Sequence, residues 1–244
     1  MPVSAPDLSN LVTLEGVPSA LAAARDGVDA LLRDRGHRRT TSELTAESLL
    51  RGAAASATLE GSSTDLEALR GGAADLVAMR AARLNAGLLA LVPVVGRSPL
   101  QALARLHVLV AAGSTGEEAL GRPRPDASVP PRLQGLARLL VSASDTPAVA
   151  LAAVAHAEVA AVAPFESHNG LVARALERLV LVARGLDPTS MIVPEAGHLA
   201  LGGSYDAALT AYSSGTPEGA RLWLLHAASA LGAATEASPL NDRG

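Results

Sequence analysis

The apolar residues of this chain are almost all Ala, Leu and Val, and nowhere do they alternate at period two for long enough to build a strand-rich fold. Its 244 residues include one Phe, one Trp and two Tyr, so small aliphatic side chains must fill the core. Alanine faces let helices approach closely, which favours a bundle over a sheet. An apolar share of 49% against 18% charged residues supplies a sizeable core and excludes a disordered chain. The expectation is an all-α fold.

Ser98-Pro99, Thr146-Pro147 and Thr216-Pro217 each place a hydroxyl N-cap before a proline suited to the first helical position. Gly113, Gly185 and Gly232 follow apolar-periodic runs and suit helix ends. These signals predict helices over 18–34, 45–59, 64–90, 98–112, 131–142, 147–163, 170–184, 203–212 and 217–232. Residues 113–130, with Arg122-Pro123-Arg124-Pro125-Asp126, read as a loop or short hairpin. Residues 164–170 read as a tight turn between two apolar helices, and 233–244 as a flexible tail. There is no internal repeat or heptad array.

All 20 basic residues are Arg, which points to a GC-rich, bacterial genome rather than to a functional choice. A formal net charge of −4 and the lack of any basic stripe argue against nucleic acid or an anionic membrane as partner. The absence of Cys excludes disulfides, thiolate metal sites and thiol nucleophiles. Residues 1–10 show no signal-peptide pattern, so a cytoplasmic location is expected. The most membrane-like stretch, 147–165, is interrupted by His156 and Glu158 and reads as a buried bundle helix. His37, His107, His198 and His226 are scattered without ligand spacing, so no metal is expected. Without Lys there is no G-x-x-x-x-G-K-S/T loop, and G-x-S-x-G, H-E-x-x-H and EF-hand patterns are missing too.

One turn carries chemistry. After Pro164 a new helix starts near Gly170, and unpaired N–H groups at such a start attract an anion. Gly170 would let an oxygen approach the backbone closely, and Arg174 lies one turn further on, suited to phosphate. Phe165, the single Phe, would anchor the loop in the core. The plainer alternative is an ordinary helix–turn–helix with an Asn-Gly turn and a surface Arg.

The segment from His156 to Arg174 resembles the Fic (Fido) family signature H-P-F-x-D/E-G-N-G-R-x-x-R, with Pro164, Phe165, Asn169, Gly170 and Arg174 in register. His156 matches a histidine that such proteins often carry upstream of the motif. Ser56, Glu60 and Gly61 resemble the family's inhibitory-helix pattern S/T-x-x-x-E-G/N. Leu106-His107 and Gly121-Arg122-Pro123-Arg124 resemble the stretch leading into the flap that holds the target. Gly185 to Pro188, Tyr205, Tyr212 and Trp223 resemble the C-terminal helices. The resemblance implies a Fic-like helical bundle with a short flap loop or hairpin. Residues 1–62 would form an N-terminal extension bearing the inhibitory-type helix, and 63–232 the core. It also implies nucleotide contacts from Asn169, Gly170 and Arg174, and pairing of Glu60 with Arg174 against the ATP γ-phosphate.

The departures fall at chemically decisive positions. Ala163 stands where such proteins carry the general base, and a methyl cannot move a proton. Ser167 replaces the metal-holding acid, His168 the first glycine of the anion loop, and Leu171 the first motif Arg. ATP with Mg²⁺ is the cofactor that the resemblance admits, weakened by Ser167 and Leu171. Three functions follow as expectations: a binding protein for a nucleotide, a protein partner or both, without AMP transfer; a transferase of altered chemistry using His168 or Glu166 and a phosphorylated donor; or a structural domain with a vestigial site. In the last, Glu60 and Arg174 persist as a structural ion pair. By analogy a homodimer is also admitted.

Overall fold

The computed structural model describes residues 8–33, 40–142 and 145–242. In chain order the helices are α1 (Leu8–Leu11), α2 (Val17–Arg33), α3 (Ser42–Leu59), α4 (Leu66–Arg70), α5 (Leu76–Leu88), α6 (Val92–Val95) and α7 (Pro99–Ala111), then α8 (Val129–Ser142), α9 (Ala148–Val162), α10 (Asn169–Ala183), α11 (Pro194–Ala200), α12 (Ser204–Ser213) and α13 (Pro217–Glu236). Short 3-10 turns lie at Leu89–Leu91 and Pro239–Asn241. No strand occurs among the described residues, so the expected flap is a loop of turns between α7 and α8, not a hairpin.

Helices α9 and α10 form the centre. Helix α9 is apolar on every side, the pattern of a helix enclosed by others, and every residue from position 149 to 159 is buried. On α10 every residue from position 171 to 182 is buried too, among them Arg174, Glu177 and Arg178. Helices α5, α6 and α7 pack along α10, while α2, α8, α12 and α13 cover α9. Helix α3 reaches across α5 and α11 to α10, which brings the inhibitory-type pattern onto the core.

The charges inside this core are all met. Arg132 grips the buried Glu158 with two bonds of 2.9 Å, and the Tyr212 hydroxyl adds a third at 2.6 Å. On the far side of α10, Arg178 donates to Glu195 at 2.6 and 3.0 Å and to the Ser48 and Ser190 hydroxyls at 3.0 and 2.9 Å, tying α3, α10 and α11 together. A buried ion pair needs such extra bonds to offset desolvation.

Several sequence expectations are corrected. The helix expected over 64–90 is broken at Gly71-Gly72, where Gly72 takes φ +78°, and Asp75 recaps the chain by accepting from the Ala78 N–H at 2.9 Å. Of the three hydroxyl–proline caps only Thr216 accepts the bond, from Gly219 at 3.0 Å. Ser98 makes none, and α9 begins one residue past Pro147. Helices α1, α6 and α11 were not foreseen. Gly232 ends nothing: α13 runs on to Glu236. Beyond it Ser238 and Pro239 are buried, and Arg51 donates to the Ala237 carbonyl at 3.1 Å and pairs with Asp242. Residues 233–242 are therefore packed where a flexible tail was expected. Among the described residues, one helical stretch, Leu76–Val95 at 20 residues, is long and apolar enough by length and composition to cross a bilayer, although α5, a 3-10 turn and α6 divide it. His37 and residues 1–7 lie outside the described residues.

Candidate functional site

Helix α9 ends on Ala163, which adopts the left-handed conformation with φ 44° and ψ 62°. Such backbone is costly for a residue with a Cβ, so the surroundings must hold it. Arg124 from the flap loop does so. Its guanidinium donates to the Ala163 carbonyl at 2.8 Å and the Val162 carbonyl at 3.1 Å, and its backbone N–H donates to the Pro164 carbonyl at 2.8 Å. These are the open carbonyls at a helix C-terminus, where a cation is favoured. Asp126 holds Arg124 from behind at 2.5 Å, and its carboxyl is pulled down to about 2 by hydrogen bonds from Ser128 and then from Arg124.

The turn that follows is stapled from within. Asn169 accepts from the Phe165 N–H at 2.9 Å and donates to the Phe165 carbonyl at 2.8 Å. Phe165 is buried and stacks on His107, ring centroids 4.0 Å apart and 2° from parallel. His107 Nδ1 accepts from the Gly121 N–H at 3.0 Å, so flap, α7 and turn share one anchor. Its Nε2 is buried without a partner among the described residues, and burial lowers its pKa to about 4.

The entrance of α10 faces α3. Arg174 is buried, and its guanidinium meets Ser56 Oγ at 2.7 Å, the Ser56 carbonyl at 3.2 Å, Glu60 Oε1 at 2.6 Å and the Tyr205 hydroxyl at 3.0 Å. Burial works hardest against its charge, yet Tyr205 and Glu60 more than offset it and its pKa is raised. Glu60 also lies against the first turn of α10: a Cβ built on Gly170 would stand 2.1 Å from Glu60 Oε1. A carboxylate thus lies against both the Arg174 guanidinium and Gly170 in the first turn of α10. Gly61 follows α3 at φ +85°, the left-handed exit that glycine allows.

Two of the residues that depart from the motif, His168 and Ser167, meet the loop after α7. His168 takes the left-handed conformation at φ 59° and its Nε2 meets Ser114 Oγ at 3.1 Å. Ser167 Oγ lies 3.3 Å from Thr115 Oγ1. Burial, followed by the Arg80 and Arg83 charges, holds the His168 imidazole below its ordinary pKa. Leu171 is buried in the core and Glu166 is exposed.

Behind Arg174 lies a buried chain that sequence spacing did not reveal. The Tyr205 hydroxyl meets His156 Nε2 at 2.9 Å, and His156 Nδ1 meets Glu177 Oε2 at 2.6 Å. His198 Nε2 reaches the same oxygen at 2.8 Å, and its Nδ1 meets His226 Nε2 at 3.1 Å. His198 and His226, which look scattered in sequence, are therefore neighbours, and they join His156 and Glu177. The signal was weak because the partners come from α9, α10, α11, α12 and α13. Burial opposes the Glu177 charge most, but His198 and His156 hold its carboxyl well below the usual range.

No protein-family model matches this chain, and no curated protein matches it in sequence. Solved structures do match. A Fic family protein from Desulfovibrio desulfuricans G20 superposes with a TM-score of 0.73 at 20% identity, covering 89% of this chain and 73% of its own. A fragment of Fic-1 from C. elegans gives a TM-score of 0.62 at 18% identity, covering 90% of this chain and 72% of that one. A variant of the same fragment gives 0.65 at 19% identity with the same coverage. These superpositions show that the chain has the all-α fold of Fic proteins.

Proposed function

We propose that this chain is a Fic-like binding protein, active in the cytoplasm, that recognises a nucleotide or another phosphate-bearing ligand without transferring AMP. One contact carries this reading: Glu60 sits on both Arg174 and the first turn of α10, as an internal anion in the place of a ligand phosphate. The carboxylate is 31% exposed while the guanidinium is 2% exposed, so Glu60 is the partner able to leave. Its departure would open a preformed donor set of backbone N–H groups and a fixed guanidinium, which suits phosphate.

Transfer is a different matter. Ala163 stands where the resemblance puts the general base, and loss of a base costs about 10²–10⁴-fold. Leu171 is folded into the core, so no second motif charge reaches the site. His168 is tied to Ser114, with its imidazole held toward the neutral form.

A thermal-shift panel with ATP, GTP, UTP and cytidine-diphosphate derivatives, with and without Mg²⁺, tests the reading on wild type and Glu60→Gly. At least one nucleotide is expected to raise the melting temperature of Glu60→Gly by more than that of wild type. Labelled ATP should leave wild type and lysate proteins unmodified. A shift in neither protein would leave a vestigial site. Covalent labelling that vanishes in His168→Ala would establish a transferase of altered chemistry.

A further inference from the structure

We propose that His156, Glu177 and His198 form a buried binding site for one divalent transition-metal ion, of the zinc class, that joins α9, α10 and α11 directly behind Arg174. Their ligating atoms all lie within 4.8 Å of one another, and three separate helices deliver them to one point. Both imidazoles are 0% exposed and the carboxylate 5%, a depth at which charged side chains are rare unless they are paired or bind an ion.

The surroundings of the cluster suit an ion. Both imidazoles converge on a single oxygen, Oε2 of Glu177. The outer nitrogens are held as well. His156 Nε2 meets Tyr205 at 2.9 Å and His198 Nδ1 meets His226 at 3.1 Å, the outer partners that orient metal-bound imidazoles.

Two imidazole nitrogens and a carboxylate oxygen make a three-residue ligand set suited to Zn²⁺, at metal–ligand distances of about 2.0–2.2 Å. The nitrogens now stand 2.6 and 2.8 Å from Oε2. A tetrahedral set at those bond lengths separates its ligand atoms by roughly 3.4 Å, so each of these two nitrogens needs to move away from Oε2 by less than about 1 Å. On binding, each neutral imidazole would present a bare nitrogen to the cation and carry its single ring proton on the outer nitrogen, facing Tyr205 or His226, so no proton is lost from the rings. The site would stiffen the three helices and, through Tyr205, the placement of Arg174.

The test uses full-length protein without a polyhistidine tag. Chelator-treated protein is titrated with Zn²⁺ and separately with Co²⁺, and the as-purified protein is measured by inductively coupled plasma mass spectrometry. The expected result is about one equivalent bound, a rise in melting temperature and tetrahedral Co²⁺ absorption bands. Tyr205→Phe keeps every ligand and is expected to weaken the metal by about 10–100-fold. Glu60→Gly should bind the metal as wild type does, which separates this site from the anion site. Wild type that takes up neither ion, or that binds both unchanged after His198→Ala, overturns the proposal.

Discussion

Arg174 Nη2 and Glu60 Oε1 stand 2.6 Å apart, and that same oxygen fills the space beside Gly170 where any other residue would carry its Cβ. Guanidinium, carboxylate and helix start are thus one unit, and the identity of residue 170 decides whether it can close.

Gly170→Ala should therefore act through Glu60. Gly170 lies in helical backbone, so alanine itself is tolerated and gains about 1 kcal/mol of helix propensity. The displaced carboxylate forfeits a charged hydrogen bond that typically contributes about 1.5–3 kcal/mol. Glu60→Gln should cost about 1–2 kcal/mol by keeping a neutral acceptor. In a double-mutant cycle by urea unfolding the two losses should not add, because either change removes the same contact. Full additivity would mean that Gly170 and Glu60 are energetically separate.

Gly52 lies on α3 against the buried Arg178–Glu195 pair. A Cβ there would stand 2.5 Å from Arg178 Nη2 and 2.7 Å from Glu195 Oε2, and both groups are pinned by further bonds. Gly52→Ala is expected to cost about 3–5 kcal/mol, the range for breaking a buried pair. The control is Gly27→Ala on α2, where nothing lies within 4 Å. Equal melting temperatures for the two variants would contradict this account of the α3 contact.

Asn169 spends both its amide atoms closing the turn on Phe165. Asn169→Ala leaves a backbone donor and acceptor unpaired in a half-buried turn and should cost about 1–3 kcal/mol. Hydrogen exchange at the Phe165 amide should accelerate in this variant while that of Leu179, deep in α10, changes little.

His107 supplies a pH dependence whose sign is fixed by its role. Its Nδ1 accepts from Gly121, so the fold requires that nitrogen unprotonated, and burial lowers its pKa to about 4 from an ordinary 6.5. Below pH 6.5 the unfolded chain takes up a proton that the folded chain refuses. Stability contributed by this group is present above pH 6.5 and is lost as pH falls toward 4, up to about 3 kcal/mol in all. His107→Gln keeps an acceptor but cannot titrate. The stability difference between wild type and this variant should narrow in favour of the variant between pH 7 and 4.5. A constant difference across that range would refute the assignment.

What the sequence made legible follows physical lines. The α9–turn–α10 unit was readable because an uninterrupted apolar run, a proline stop and an Asn-Gly start are all local signals. Ser56, Glu60 and Arg174 were readable because their motif spacing survives. Helix α11 was missed because Pro194 and Gly197 look like loop residues, whereas Gly197 is a packing glycine whose Cβ would stand 2.0 Å from the Ala230 carbonyl of α13. The His156–Glu177–His198–His226 chain was invisible because it exists only after four helices pack. Arg124 read as part of a proline-rich loop, and nothing local marks it as the cap of α9.

If Glu60 stands in an anion site, as proposed, its removal must change nucleotide affinity, which isothermal titration of the best-binding nucleotide into wild type and Glu60→Gly measures. Removal of the carboxylate should tighten binding by at least about tenfold, equivalent to 1.4 kcal/mol, and Arg174→Gln in the Glu60→Gly background should abolish that gain. Identical heats for wild type and Glu60→Gly, with both variants folded, would contradict the account.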